Sequence, residues 1–126
     1  MGYRSNVVLA ISKHLTPFLT LATAQNAEAQ ALVFKHADQF DRDYGGDKSW
    51  LFVWDSIKWY ESYEDIQALE KFIQEATSDE YSFEVDGQTQ NSCEHIRFVR
   101  VGEDHNDVEM SGEGFWDIYP TTHINY

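Results

Sequence analysis

Three groups of side chains in this 126-residue chain have types and spacing that could do chemistry. Glu103-Asp104-His105-Asn106-Asp107, with Glu109, is a compact oxygen-rich turn. Such turns can hold Ca²⁺ or Mg²⁺, and a metal held there could serve a metal-dependent hydrolase. The same residues also suit a polar hairpin loop. Asp38, Asp41, Asp43 and Asp47 surround Gly45-Gly46. Taken as a calcium loop starting at Asp41, this segment has its glycine in place at Gly46 but Phe52 where the bidentate Glu is needed. Cys93 and His95 are two apart and could form a nucleophile and base, or simply mark a half-buried strand start. The remaining histidines, His14, His36 and His123, complete no metalloprotease or zinc spacing. A P-loop and a nucleophile elbow are both absent from the sequence. No catalytic residue, resident metal or cofactor is assigned.

Carboxylates dominate instead. Residues 61–86 contain nine acids, Glu61, Glu64, Asp65, Glu70, Glu75, Asp79, Glu80, Glu84 and Asp86, against Lys71 alone, a net of −8. Arrayed on one side, they would imitate phosphates and fit a nucleic-acid-binding groove. Distributed around a helix and a strand, they would be ordinary solvated faces. Trp59 and Tyr60 adjoin this segment, and Trp and Tyr are frequent interface anchors. These eleven residues are the candidate partner-binding set.

The global charge agrees. With 22 acidic and 9 basic residues the chain carries −13, with a pI near 4.5. Residues 1–37 carry three cations against one acid, or +2, so residues 38–126 carry −15. That field repels nucleic acid and anionic membranes and attracts basic proteins. It also aids solubility. Apolar residues make up 42% and aromatics 15%, enough for a folded core in one domain spanning 1–126. The single cysteine excludes an intrachain disulfide. Met1 to Ile11 is too short for a secretory signal, and Asn6 stands where myristoylation wants Ser or Thr. The expected location is cytoplasmic.

These side chains need elements to position them. Tyr3 to Ile11 reads as a central strand. Leu15 to about Ala37 reads as a helix, with Thr16 as cap and Pro17 in its first turn. Asp38 to Lys48 reads as a loop. Trp50 to Trp59 reads as a long strand, with Trp50, Phe52 and Trp54 on one side and Leu51, Val53, Ile57 and Trp59 on the other. Ser62 to Asp65 resembles a capping box, and Ile66, Leu69, Phe72, Ile73 and Ala76 form a buried helical stripe. Strands follow at Glu80–Asp86, Ile96–Val101, Val108–Ser111 and Phe115–Tyr119. The expectation is an α+β fold of order β-α-β-α-β-β-β(-β). Two helices would pack on one face of a mixed, mostly antiparallel sheet, split-βαβ-like, with a C-terminal meander.

Met1-Gly2-Tyr3-Arg4-Ser5 running into the strand Asn6–Ile11, the segment Trp54-Asp55-Ser56-Ile57-Lys58-Trp59-Tyr60 before an acidic helix, and Phe98-Val99-Arg100-Val101-Gly102-Glu103-Asp104 together resemble small uncharacterised phage and prophage accessory proteins. The resemblance covers about half the chain in patches, and its motifs define no chemistry. It implies a phage-encoded protein acting in the host cytoplasm on a nucleic-acid-handling or defence protein. The expected function is therefore protein binding to a basic partner, without direct contact to nucleic acid. The metal-dependent hydrolase and a structural subunit of a homo-oligomer are the alternatives.

Overall fold

In the computed structural model, residues 2–104, 106–114, 116–120 and 124–126 are described, Asn125 by its backbone only. The first strand, β1 (Ser5–Ile11), is apolar from Val7 onward and is the sheet's central strand. Two helices follow, α1 (Thr16–Ala24) and α2 (Ala27–Phe34), then the hairpin β2 (Gln39–Tyr44) and β3 (Ser49–Ile57). Helix α3 (Glu64–Thr77) leads to a small hairpin, β4 (Ser82–Val85) and β5 (Gln88–Asn91). A 3₁₀ turn, Ser92–His95, enters β6 (Ile96–Gly102), and β7 (Val108–Ser111) pairs back on it. Two short strands, β8 (Tyr119–Pro120) and β9 (Ile124–Asn125), pair with each other.

The main sheet has the order β2-β3-β1-β6-β7, and each of these pairings is antiparallel. This is the α+β, split-βαβ arrangement expected, although the sheet contains no parallel pair among the described residues. Helices α1, α2 and α3 cover one face. Val7, Leu9, Ile11, Phe52, Trp54 and Phe98 meet Leu19, Leu32, Ile66, Leu69 and Phe72 there. The opposite face, with Val8, Ala10, Leu51, Val53, Val99 and Val101, is covered by Ile118 and Ile124 from the C-terminal segment, with Trp116 packed beside them. β1 is therefore buried on both sides, which explains its apolar run.

Several local expectations change. The long first helix is broken at Gln25-Asn26, because Asn26 caps α2. Its Oδ1 accepts from the Glu28 and Ala29 N–H groups, both at 3.0 Å. The supposed capping box does not form. Tyr63 is the N-cap without a side-chain bond, and Asp65 accepts from the adjacent Ile66 N–H. The acidic loop contains β2, a charged edge strand whose Phe40 faces the core cluster. Glu80–Asp86 does not join a meander in the main sheet. Asp86 and Gly87, at φ 51° and 79°, form a tight two-residue turn, so β4 folds onto β5 as a separate hairpin. The last expected strand starts at Phe115, which lies outside the described residues; pairing is seen at Tyr119–Pro120.

One further change moves a candidate residue. Between Ser5↔Ile57 and Val7↔Trp54 the register of β1 and β3 shifts, and Ser56 takes φ 57°. This is a β-bulge. The Asn6 Oδ1 accepts from the Ser56 N–H at 2.9 Å, and the Arg4 guanidinium donates to the Ser56 carbonyl at 2.8 Å. An extra residue reverses the alternation beyond it. Ile57 and Trp59, expected on the face opposite Trp54, therefore join it in the core beneath the helices.

Candidate protein-interaction surface

The candidate acids begin on α3. At 100° per residue, its outermost ridge is Glu64, Gln67, Lys71 and Gln74, so this ridge carries one acid, one base and two neutral groups. Glu70 and Glu75 lie on opposite flanks. Glu70 lines a groove towards β7 together with Glu61, whereas Glu75 lines a groove towards α1. Lys71 approaches Glu75 at 3.9 Å, and the Tyr81 hydroxyl donates to it at 2.8 Å. Asp79 is exposed but accepts from the Cys93 N–H at 2.9 Å. Asp65 is engaged at its own helix start. Glu61, Glu64, Glu80, Glu84 and Asp86 are exposed. The nine acids thus divide into a solvated group and a group occupied in holding the fold.

Trp59 is only 7% exposed and lies against Trp54 and Phe98, at ring-centroid distances of 5.6 and 5.9 Å. It is a core residue and presents no surface to a partner. Its indole N–H donates to Glu70 Oε1 at 2.8 Å. Tyr60 is half-buried beside Tyr63.

Around Glu70 a polar cluster forms that sequence spacing does not reveal. Arg100 projects from β6 on the helix-covered face and is only 8% exposed. Its guanidinium donates to Asp107 at 2.6 and 3.1 Å, to Glu109 Oε1 at 2.8 Å and to the Ser5 hydroxyl at 2.9 Å. Burial opposes its charge, but the bonds to Asp107 and Glu109 more than offset this and raise its pKa. Asp107 is held below the usual carboxylate range by Arg100 and by the Tyr3 hydroxyl, which donates to it at 2.8 Å. Glu70 behaves oppositely. Burial pushes its carboxyl up, the Trp59 bond pulls it down, and neighbouring Glu109 and Glu61 push it up again. One buried cation therefore bonds two carboxylates, Asp107 and Glu109, and acts on a third, Glu70, at one end of the sheet. The signal available in the sequence was an arginine opposite two acids across a hairpin, Arg100 against Asp107 and Glu109.

The groove beside this cluster has a volume of about 420 Å³. Glu61, Glu70 and Glu109 line it, and Ile73 and Phe98 supply apolar surface. Val108 and Met110 on β7 are 39% and 44% exposed. The second groove, about 490 Å³, runs between α1 and α3 past Phe18, Ala22, Phe72 and the 68%-exposed Leu21.

The other chemical candidates are occupied by structure. Within the turn Glu103–Glu109, Asp107 and Glu109 are taken by Arg100, and Glu103 accepts from the Arg4 N–H; His105 lies outside the described residues. Asp41, Asp43 and Asp47 accept from the Asp43, Lys48 and Ser49 N–H groups and organise the β2–β3 turn. Among the described residues, no group of three or more His, Cys, Asp or Glu side chains is placed to hold a metal ion. Cys93 and His95 do not cooperate. Burial, with Glu113 and Asp79 nearby, pushes the thiol up, away from a reactive thiolate. His95 turns inward, with Nδ1 2.8 Å from the Ser12 hydroxyl and Nε2 2.6 Å from Gln90 Oε1. Ser12 is buried and the partner at Nε2 is the neutral Gln90, so this serine–histidine contact lacks both an accessible nucleophile and a carboxylate hydrogen-bonded to the imidazole. It ties the end of β1 to the β4–β5 hairpin. His123 lies outside the described residues.

Among the described residues, no helix is long and apolar enough to cross a membrane. Comparison with protein-family models, curated proteins and solved structures finds no match to this chain.

Proposed function

We propose that this chain is an acidic protein-binding protein whose partner is a basic protein. The observation that carries this reading is the display of uncompensated charge. Ion pairs among the described residues occupy only Asp43, Glu75, Asp107 and Glu109, while Glu61, Glu64, Glu80, Glu84 and Asp86 stand exposed around α3 and the β4–β5 hairpin. Such a field raises the encounter rate with a basic surface and rejects acidic competitors. The resemblance to phage accessory proteins favours a host nucleic-acid-handling or defence protein as that partner. Its basic nucleic-acid-binding surface would be covered by this chain, with carboxylates standing where phosphates bind.

The test is capture of partners from a bacterial lysate on the immobilised protein at about 0.05 M and about 0.5 M salt, which brackets effective screening. One stoichiometric basic partner, retained at low salt and released at high salt, is expected. Glu64→Lys, Glu80→Lys and Glu84→Lys together should slow association with it and flatten its salt dependence, since exposed charges at the rim of a contact act mainly on the on-rate. Capture that ignores both salt and these three substitutions would remove the electrostatic basis of the proposal.

A further inference from the structure

Strand β7 ends the main sheet. β6 lies on one side of it, and among the described residues no strand lies on the other. The phase of its hydrogen bonding can be fixed. The Gly102 N–H donates to the Asp107 carbonyl at 2.8 Å, one step beyond the pair Val101↔Val108. Bonded and non-bonded pairs alternate along an antiparallel ladder. Arg100↔Glu109 and Phe98↔Ser111 are therefore the bonded pairs, and Val108 and Met110 turn their N–H and C=O groups away from β6. Two donors and two acceptors stand in a row along an open edge, a template for another strand.

The side chains on this edge say what that strand should carry. Glu109 pairs with Arg100, and Ser111 with Phe98, so both point to the helix-covered face. There they border the groove containing Glu61 and Glu70. Val108 and Met110 pair with Val101 and Val99, so they point to the opposite face. A strand laid against β7 would alternate accordingly, with one set of side chains beside Glu109 and the α3 groove and the next set beside Val108 and Met110. Opposite charges and apolar pairs are favourable at such cross-strand positions, and like charges are not. A second copy of this chain fits poorly. It would bring Glu109 towards Glu109 and set one charge of −13 against another.

We infer that β7 accepts an extended segment of a basic partner as the sixth strand of the sheet, its Lys or Arg side chains entering the α3 groove and its alternate apolar side chains covering Val108 and Met110. This rests on the basic-partner reading and specifies where and how the partner binds. The main-chain bonds supply affinity and the alternating side chains supply selection.

The probe is a hexapeptide of alternating Lys and Val, compared with a Glu–Val peptide and with a Lys–Val peptide N-methylated along one edge. Binding is followed by NMR on the labelled full chain, with hydrogen exchange read at Val108 and Met110. The Lys–Val peptide should bind and slow exchange of both amides by about tenfold or more, and the other two peptides should not. Met110→Pro removes only an outward-facing N–H, a substitution an edge strand tolerates, and should weaken binding by about tenfold with thermal stability retained. Glu61→Gln with Glu70→Gln should weaken binding and flatten its salt dependence.

Salt-sensitive binding that leaves both amides unprotected and survives Met110→Pro would refute the edge and leave the basic-partner reading standing. No binding by the Lys–Val peptide, or equal binding by its N-methylated form, would also overturn the inference, and the lysate experiment would then judge the broader reading by itself. Concentration-dependent protection of the same amides without peptide would assign the edge to a second copy.

Discussion

Glu70 is a residue at which stability and binding oppose each other. Its carboxyl is raised chiefly by burial, so its folded pKa lies above its unfolded one. Such a group contributes stability below the unfolded value and loses that contribution as pH rises through the folded value. Glu70→Gln keeps an acceptor for the Trp59 indole and removes the charge. It should therefore raise the melting temperature at pH 7 more than at pH 4, while weakening the groove's hold on a cation. Equal melting shifts at both pH values would contradict the desolvation account. His95 shows the mirror case. Burial, helped by His14 and opposed by Glu94, lowers its pKa. Its contribution is complete above the unfolded value near 6.5 and falls as pH drops through the lower folded value. Thermal melts from pH 7.5 downward should show this loss, and His95→Gln should remove part of it. At this scale the sequence displayed the charge but not its use. Nothing local to Arg100 shows that it is buried, and nothing in the Cys93–His95 spacing shows that the imidazole turns towards Ser12.

Elements depend on a few positions where the backbone leaves its regular path. Gly112 follows β7 with φ 88°, and a Cβ there would collide with the Ile96 carbonyl. Gly112→Ala should cost about 2 kcal/mol or more in denaturant unfolding and loosen the segment that covers the second face. Ser56, in the left-handed region, sets the bulge that sends Trp59 inward. Ser56→Gly should change stability by less than about 1 kcal/mol, whereas Ser56→Val should cost more than that, because β-branching is strained at positive φ. Asn26→Ala should cost about 1 kcal/mol through loss of the α2 cap. Alternation in the sequence correctly grouped Trp50, Phe52 and Trp54, and helical spacing found the α3 stripe. The bulge, the helix break and β2 were hidden for separate reasons. The bulge reverses parity at a single polar residue. Asn26 interrupts an otherwise continuous helical pattern. β2 is an edge strand rich in charge, which reads as a loop.

At the scale of the molecule, the α+β class followed from the order of apolar patterns along the chain, because two helices with apolar faces need a sheet to cover. Strand order could not be read that way. The pairings β1–β3 and β1–β6 join residues 39 to 52 and 85 to 97 positions apart, and their register is set by tertiary contacts. The acid excess was visible in composition, but its distribution was not. Folding divides the nine acids of residues 61–86 between solvent, the α1–α3 flank and the α3–β7 groove, so the molecule presents a negative field with the edge of β7 inside it. The most direct test of a basic partner is the affinity of the captured protein measured against salt between about 0.05 M and 0.5 M. A steep loss of affinity with salt, flattened by Glu64→Lys, Glu80→Lys and Glu84→Lys, is the predicted result. An affinity constant across that range in both proteins would contradict it.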